Sequence, residues 1–240
     1  MENIDNKTVA EIVTENIKTA DVFKKNGIDF CCGGHVLVKE VCDKKGVDYE
    51  KLKADILKIG AEKQGNHDFN AWDIDFLTDY IINTHHKYVL EANMIISQYA
   101  EKVAKVHGHH YTETIEINKL FNELANELLS HMQKEENILF PHIKTIAKAK
   151  KEGSPLSPPP FGNIQNPINM MEAEHTDAGE IIFKIKELTN DFNPPEGACN
   201  TFRALYAKLE EYQNDLFQHI HLENNILFPK AIAMEAELLK

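Results

Sequence analysis

The chain has 240 residues, 42% of them hydrophobic, and a formal charge of −12 at pH 7. This length allows one sizeable core and a second, smaller domain. The acidic excess lies after residue 60, where 27 Asp and Glu face 16 Lys and Arg, and such a surface repels nucleic acid and anionic membranes. The first residues are neither basic nor apolar, no run of about 18 apolar residues occurs, and four cysteines do not make a secreted disulfide framework. We therefore expect a cytoplasmic protein with reduced thiols.

Residues 1–62 predict a small helical domain in which glycines separate short helices. Thr8 stands three residues before Glu11, which fits a capping box at the start of the first helix. Glycines are common just after a helix ends, and they mark the ends of the later helices. The four helices are expected over residues 9–17, over a short segment ending at Gly27, and over residues 35–45 and 49–59.

Two adjacent cysteines, Cys31 and Cys32, stand just before the expected helix start at His35. A helix N-terminus favours the thiolate, so these residues could act as nucleophiles or bind metal. The alternative is two partly buried cysteines that pack in a turn. A disulfide between them is disfavoured, because adjacent cysteines would close a strained ring.

Residues 63–240 predict an all-α, up-down-up-down four-helix bundle. Apolar residues recur at the spacing of long amphipathic helices, and no alternating run indicates a strand. Residues 65–70 are interpreted as a linker or the lead-in to a helix, and residues 153–162 contain four prolines that rule out a helix. The four bundle helices are expected over residues 73–105, 113–150, 164–190 and 197–238.

The bundle sequence contains an internal duplication. Residues 131–141 and residues 219–229 both follow the pattern His-x-x-x-Glu-x-x-x-Leu-Phe-Pro. A further histidine precedes each copy at nearly the same distance, His86 by 45 residues and His175 by 44. Two helix pairs that each carry one single histidine and one His-x-x-x-Glu predict a repeated metal half-site.

The histidine and glutamate of each copy share the face of the helix that is expected to be buried. A spacing of four places His131 next to Glu135 and His219 next to Glu223, one turn apart. Steps of three and four back from His219 reach Leu216, Tyr212, Leu209, Leu205 and Phe202.

Metal ions explain this set of buried polar side chains. Burying four imidazoles and two carboxylates in a bundle core costs free energy, on the order of several kcal/mol for each unpaired charge. Six ligands exceed one tetrahedral zinc site, whereas two bridging carboxylates and two histidines per ion satisfy all six. Open positions for O₂ or NO would remain, which favours iron over zinc. The expected ligands are His86, His131, Glu135, His175, His219 and Glu223.

Other side chains have weaker claims to the site. His85 lies on a plausible stripe as well, although the duplication favours His86. Glu136 is interpreted as an outer or surface carboxylate. The histidines at 107, 109 and 110 are assigned to a solvated loop. His142, His221, Cys42 and Cys199 are not assigned to the site.

These motifs resemble those of the RIC family (repair of iron centres), the di-iron proteins also called iron-sulfur cluster repair proteins, whose bundle is hemerythrin-like. The resemblance covers nearly the whole chain. It implies two non-haem iron ions per chain with an oxo or hydroxo bridge, held by the six residues named above, and a homodimer. One departure is His85, where an aromatic residue is expected. The matching segments are residues 21–23, 27–34, 131–136, 174–175 and 219–225.

The resemblance implies a stress role in which iron-sulfur clusters damaged by oxidants and nitric oxide are restored. Our hypothesis is that the di-iron site supplies iron and that Cys31 and Cys32 relay it to damaged client proteins. Three alternatives use the same ligands: an NO-reducing enzyme, a reversible O₂ or NO carrier or sensor, and a bundle with structural zinc.

Overall fold

The computed structural model describes residues 4–60 and 68–239. Within these ranges the secondary structure is helical, and the only β pairing is an isolated bridge between Thr8 and Leu37. The predicted boundary between residues 62 and 63, and residues 65–67 of the predicted linker, lie outside the described residues. The N-terminal part contains α1 (Val9–Glu15), α2 (Ala20–Lys25), α3 (Val38–Lys45) and α4 (Tyr49–Gly60).

The start of α1 confirms the predicted capping box. The Glu11 amide donates to the Thr8 hydroxyl oxygen at 3.2 Å, and the Thr8 amide donates to the Glu11 carboxylate at 2.7 Å. The helix ends at Glu15, two residues earlier than expected. Asn16 leaves the helical region, and its side chain accepts the Lys18 amide at 3.1 Å, which starts a separate turn.

The prediction of a helix from His35 is wrong, since α3 begins at Val38. The preceding residues form bends and a turn that are hydrogen-bonded to the start of α1. The Ala10 amide donates to the Gly34 carbonyl at 2.8 Å, and the Val38 amide donates to the carbonyl of Lys7 at 3.1 Å. These bonds satisfy backbone groups that a helix would otherwise have used.

Four long helices form the predicted bundle, with ends that differ from expectation by at most three residues. Three of them are interrupted by a π turn, a single turn with wider hydrogen-bond spacing. The first bundle helix comprises α5 (Ile74–Ile81), a π turn (Ile82–His86) and α6 (Lys87–His107). The second comprises α7 (Glu113–Lys134), a π turn (Glu135–Leu139) and α8 (Phe140–Glu152). The third is α9 (Gln165–Leu188), and the fourth comprises α10 (Asn200–Leu222), a π turn (Glu223–Leu227) and α11 (Phe228–Leu238).

The π turns in the second and fourth bundle helices coincide with the repeated Leu-Phe-Pro motif. Pro141 and Pro229 each occupy the first turn of the α-helix that follows the π turn. Proline is tolerated there because the first amides of a helix need no partner within it. The wider turn therefore lets both helices continue through a proline, and each π turn begins at the glutamate of the motif.

The six predicted ligands form one buried layer across the bundle, which we call the polar layer. It separates two apolar clusters, and successive helices run through these clusters in opposite order. The first helix goes from the cluster containing Leu77 to the one containing Ile96, and the second returns from Leu124 to Ile143. This alternation confirms the up-down-up-down arrangement. None of the described helices has the length and apolar character needed to span a membrane.

The core of the N-terminal helices is continuous with one half of the bundle core. Phe23, Val38 and Ile56 belong to the same apolar cluster as Ile96 and Leu216. The N-terminal helices therefore pack against the half of the bundle that contains Ile96 and Leu216.

Two glycine substitutions should change the free energy of unfolding in opposite directions. Gly34→Ala should destabilise the protein by roughly 1–3 kcal/mol, because its Cβ would lie 2.6 Å from the Phe30 carbonyl oxygen and 3.0 Å from Ala10 Cβ. Gly179→Ala should stabilise α9 by about 0.5–1 kcal/mol, because nothing lies within 4 Å of the new Cβ. Denaturant unfolding of both variants tests the pair. Equal effects of the two substitutions would contradict this packing.

Candidate metal centre

The side chains of the polar layer are at most 2% exposed and converge in the middle of the bundle. They form two groups in which the potential ligand atoms all lie within 4.8 Å of one another. Glu135 and Glu223 belong to both groups. The first group is His86, Glu135, His219 and Glu223, and the second is His131, Glu135, His175 and Glu223.

Each carboxylate contacts one histidine of each group. Glu135 Oε2 lies 3.4 Å from Nε2 of His86 and 3.4 Å from Nε2 of His131. Glu223 lies 3.1 Å from His219 Nε2 through Oε1 and 3.2 Å from His175 Nε2 through Oε2. Both carboxylates thus contact histidines of both groups, an arrangement that suits a di-metal site.

Several buried atoms of the polar layer lack the hydrogen bonds that buried polar groups normally make. Both carboxylate oxygens of Glu135, Glu223 Oε2 and His86 Nε2 are without such a partner. Nε2 of His131 lies 3.0 Å from Nε2 of His175, so two nitrogen lone pairs face each other unless a proton or cation lies between them. Two cations among these atoms would satisfy the unpaired oxygens and nitrogens together, so the donor set fits a di-metal site.

Three of the four histidines are held through the ring nitrogen that faces away from the layer. We call the group that this nitrogen contacts the outer partner. Such partners fix the ring orientation and tautomer of metal-bound histidine. The Nδ1 contacts are His86 to Glu136 at 2.7 Å, His131 to Glu174 at 2.8 Å and His175 to Asn224 at 2.8 Å. Glu136 thus lies outside the layer, as predicted.

The charges of the polar layer strongly perturb one another. Burial opposes protonation of His131, but Glu135, Glu223 and Glu174 outweigh it and raise the pKa of His131 to about 9. Burial likewise opposes ionisation of Glu223, yet His219 and His175 hold the pKa of that carboxyl well below its usual value. Without metal, the layer therefore keeps its carboxylates charged and holds a proton on His131 at neutral pH.

The two cysteines lie in a loop that packs against the third and fourth bundle helices. The Cys32 thiol lies 3.5 Å from the backbone carbonyl oxygen of His175. Asp29 holds the loop by accepting the amides of Cys31 at 2.9 Å, Cys32 at 3.2 Å and Gly33 at 2.8 Å. The cysteine pair therefore lies beside the backbone of His175, a residue of the polar layer.

The expectation that Cys31 is a thiolate is wrong. The next helix begins at Val38, too far along the chain for its N-terminus to favour a thiolate at Cys31. The neighbouring Cys32 thiol, burial and Asp29 raise the pKa of Cys31 well above its usual value. Cys31 is thus a protonated thiol at neutral pH.

Sequence reasoning missed the contact that holds this loop to the bundle. His221 and Asn225 lie one turn apart on the fourth helix and face the N-terminal helices. The Asn225 amide donates to the Cys31 carbonyl at 3.1 Å, and His221 Nδ1 lies 3.4 Å from the Phe30 carbonyl oxygen. Burial lowers the pKa of His221 to about 4, so the ring is neutral. The available signal was that the second motif copy has His221 where the first has exposed Gln133.

The remaining histidines lie outside the polar layer. His109 and His110 are exposed in the turn after α6, as expected for a solvated loop. His107 ends α6 with Nε2 3.2 Å from the sulfur of exposed Cys199. His142 pairs with buried Glu235 at 2.8 Å.

Raising the pH from 6.5 to 9 should strengthen metal binding, by up to about tenfold per pH unit for one displaced proton, because the metal must replace the proton on His131. Competition between the protein and a chelator for Co²⁺ at several pH values measures this. The metal-free protein should lose stability over the same interval. The folded-state pKa of His131 lies above its unfolded value of 6.5, so its contribution is complete below pH 6.5 and lost as the pH rises through about 9. A Co²⁺ affinity that stays constant would contradict the prediction.

Comparisons with known proteins match both parts of the chain. The hemerythrin HHE cation binding domain matches residues 77–231, which contain the whole polar layer, and a domain of unknown function, DUF542 or ScdA_N, matches residues 5–59. The iron-sulfur cluster repair protein ScdA of Staphylococcus haemolyticus (strain JCSC1435) is 33% identical over 222 residues, which cover 92% of this chain and 96% of that protein.

Two further relatives are similar over almost their full length. The iron-sulfur cluster repair protein YtfE of Yersinia pestis (strain Pestoides F) is 35% identical over 230 residues, covering 96% of this chain and 98% of that protein. YtfE of Yersinia pseudotuberculosis serotype O:3 (strain YPIII) gives the same identity and coverage. The chain therefore belongs to the family of iron-sulfur cluster repair proteins that combine a ScdA_N domain with a hemerythrin HHE cation binding domain.

Proposed function

We propose that this protein holds two non-haem iron ions in the polar layer and supplies iron to client proteins whose iron-sulfur clusters have been damaged by oxidative or nitrosative stress. The observation that carries the proposal is the pair of overlapping buried His/Glu groups with shared carboxylates. The relatives, which are named iron-sulfur cluster repair proteins, support the same function.

The donor set favours iron that is held firmly but can be released. Imidazole and carboxylate ligands suit iron without the stronger grip of a thiolate cage. Bound iron would supply redox chemistry and open positions for O₂ or NO. In the proposed site His86 and His219 would hold one ion, His131 and His175 would hold the other, and Glu135 and Glu223 would contribute to both.

A surface pocket is lined in part by His131, a residue of the polar layer. It has a volume of about 240 Å³ and is lined by Glu127, Glu174 and Asp177 as well as by Lys134 and His131. Lys134 pairs with Glu174, the outer partner of His131. Three carboxylates around an opening of this size provide a negative field that favours passage of a cation.

The cysteine loop is the proposed relay because Cys32 is partly accessible and lies against His175. Iron that reached the pair would have to displace the Cys31 proton, whose pKa is raised by Cys32, burial and Asp29. The thiols would therefore receive iron only transiently, as a relay requires.

Iron content should distinguish the residues of the polar layer from other histidines. The purified protein should contain two iron ions per chain, and His175→Ala should lose one or both, because His175 Nε2 contacts Glu223 and faces His131 Nε2. Exposed His110→Ala is the matched control and should keep both. Metal analysis with the visible absorption spectrum measures the result. One zinc per chain, or equal iron in both variants, would overturn the di-iron proposal.

Replacing both cysteines should separate iron storage from iron delivery. The Cys31→Ser/Cys32→Ser protein should keep its iron, since no sulfur belongs to either His/Glu group. It should fail to reactivate a purified, NO-treated [4Fe–4S] dehydratase, which the unmutated protein should reactivate while losing iron. Cys42→Ser is the control, because Cys42 lies within α3 and belongs to neither His/Glu group.

Two results of that assay would redirect the proposal. Full reactivation by the double variant would remove the thiols from the mechanism. Sustained N₂O formation by the reduced protein without a client, or a stable NO adduct without iron loss, would replace iron supply by NO reduction or NO sensing at the same site.

A further inference from the structure

We propose that His85 is the outer partner of His219 and therefore a positioning residue of the metal centre rather than a ligand. This inference rests on the proposed two-metal site. His85 is 2% exposed, yet it belongs to neither His/Glu group. Its role follows from the internal symmetry of the bundle.

The outer partners obey the same twofold relationship as the motif copies. Glu136, the residue directly after Glu135, is the outer partner of His86. Asn224, the residue directly after Glu223, is the outer partner of His175. Glu174, directly before His175, holds His131. The duplication relates His131 to His219 and position 174 to position 85. The symmetric outer partner of His219 is therefore the residue directly before His86, which is His85.

The hydrogen bonds of the two rings are complementary. His219 Nδ1 is buried and has no hydrogen-bond partner, and the same is true of His85 Nε2. The other nitrogen of His85, Nδ1, lies 2.9 Å from Asp215 Oδ1. A carboxylate only accepts, so Nδ1 of His85 carries the hydrogen. In the tautomer with a single hydrogen on Nδ1, Nε2 is an acceptor.

Metal binding at His219 would create the matching donor. Its Nε2 faces Glu223 at 3.1 Å, so His219 would hold a metal through this nitrogen and carry its hydrogen on Nδ1. A buried N–H without an acceptor costs about 1–3 kcal/mol. The two rings are nearly parallel, at 7°, with centroids 5.5 Å apart, so the two nitrogens without partners belong to adjacent rings. The proposed hydrogen bond requires a shift of these rings that brings Nδ1 of His219 to Nε2 of His85.

Two variants of His85 test the inference by Co²⁺ binding. His85→Phe keeps the volume of an aromatic ring but removes the acceptor, and should still bind two Co²⁺ ions with an unchanged ligand-field spectrum. The affinity for one of them should fall by about 10- to 100-fold, the effect expected for loss of an outer partner. His85→Gln should restore most of the affinity, because its amide can donate to Asp215 and accept from His219. His110→Phe is the matched control.

Three outcomes would overturn the inference. His85→Phe could lose one ion and its absorption band, as His86→Ala should, which would make His85 a ligand. It could bind both ions as tightly as the unmutated chain, which would leave His85 only a packing role. His85→Gln could bind no better than His85→Phe. Failure of the unmutated chain to bind Co²⁺ would instead contradict the proposed metal site itself.

A measurement without the phenylalanine variant guards against misfolding. In the Zn²⁺-loaded unmutated protein labelled with ¹⁵N, NMR should detect a coupling across the hydrogen bond between His219 Nδ1 and His85 Nε2. His85→Gln supplies the assignment. A His219 Nδ1 proton that exchanges rapidly and shows no such coupling would refute the inference.

Discussion

The fold depends on the burial of two carboxylates and four imidazoles between two apolar clusters. Such a layer is unfavourable unless each group is paired, and much of the surrounding structure supplies partners. Two of the three π turns begin at Glu135 and Glu223, and the outer partners fix the rings of His86, His131 and His175. Two cations would satisfy the unpaired oxygens of these two glutamates and Nε2 of His86. The apolar clusters above and below hold the helices at the spacing this geometry needs.

The two motif copies have diverged on the outside of the bundle while keeping the same inner face. In the first copy Asn137 only contacts the Gln133 carbonyl, and both residues are exposed. In the second copy His221 and Asn225 instead hold backbone carbonyls of the cysteine loop. The fourth bundle helix therefore carries polar-layer residues on one face and contacts the N-terminal part on the other. As a result, the twofold-symmetric centre has the cysteine pair on one side only.

The sequence predicts those features that arise from periodic spacing. The long bundle helices, the capping box at Thr8 and the convergence of His131 with Glu135 all follow from the 3.6-residue repeat and local hydrogen bonds. The start of α3 could not be predicted, because it depends on backbone hydrogen bonds with Lys7 and Ala10, far away in sequence. The burial of His221 likewise depends on how the N-terminal helices pack. Two of the three π turns carry a local signal in the sequence, Pro141 and Pro229, whereas the π turn at Ile82–His86 carries none.

The division of the two groups between helices sets the order in which the centre can form. Each group takes two residues from the first helix pair and two from the second, and both include Glu223. A nascent chain emerging from the ribosome therefore cannot complete either group until residue 223 is available, when most of the bundle has already been synthesised. Stable metal capture thus comes at the end of synthesis, so a bound pair of ions marks a chain whose two helical hairpins have joined.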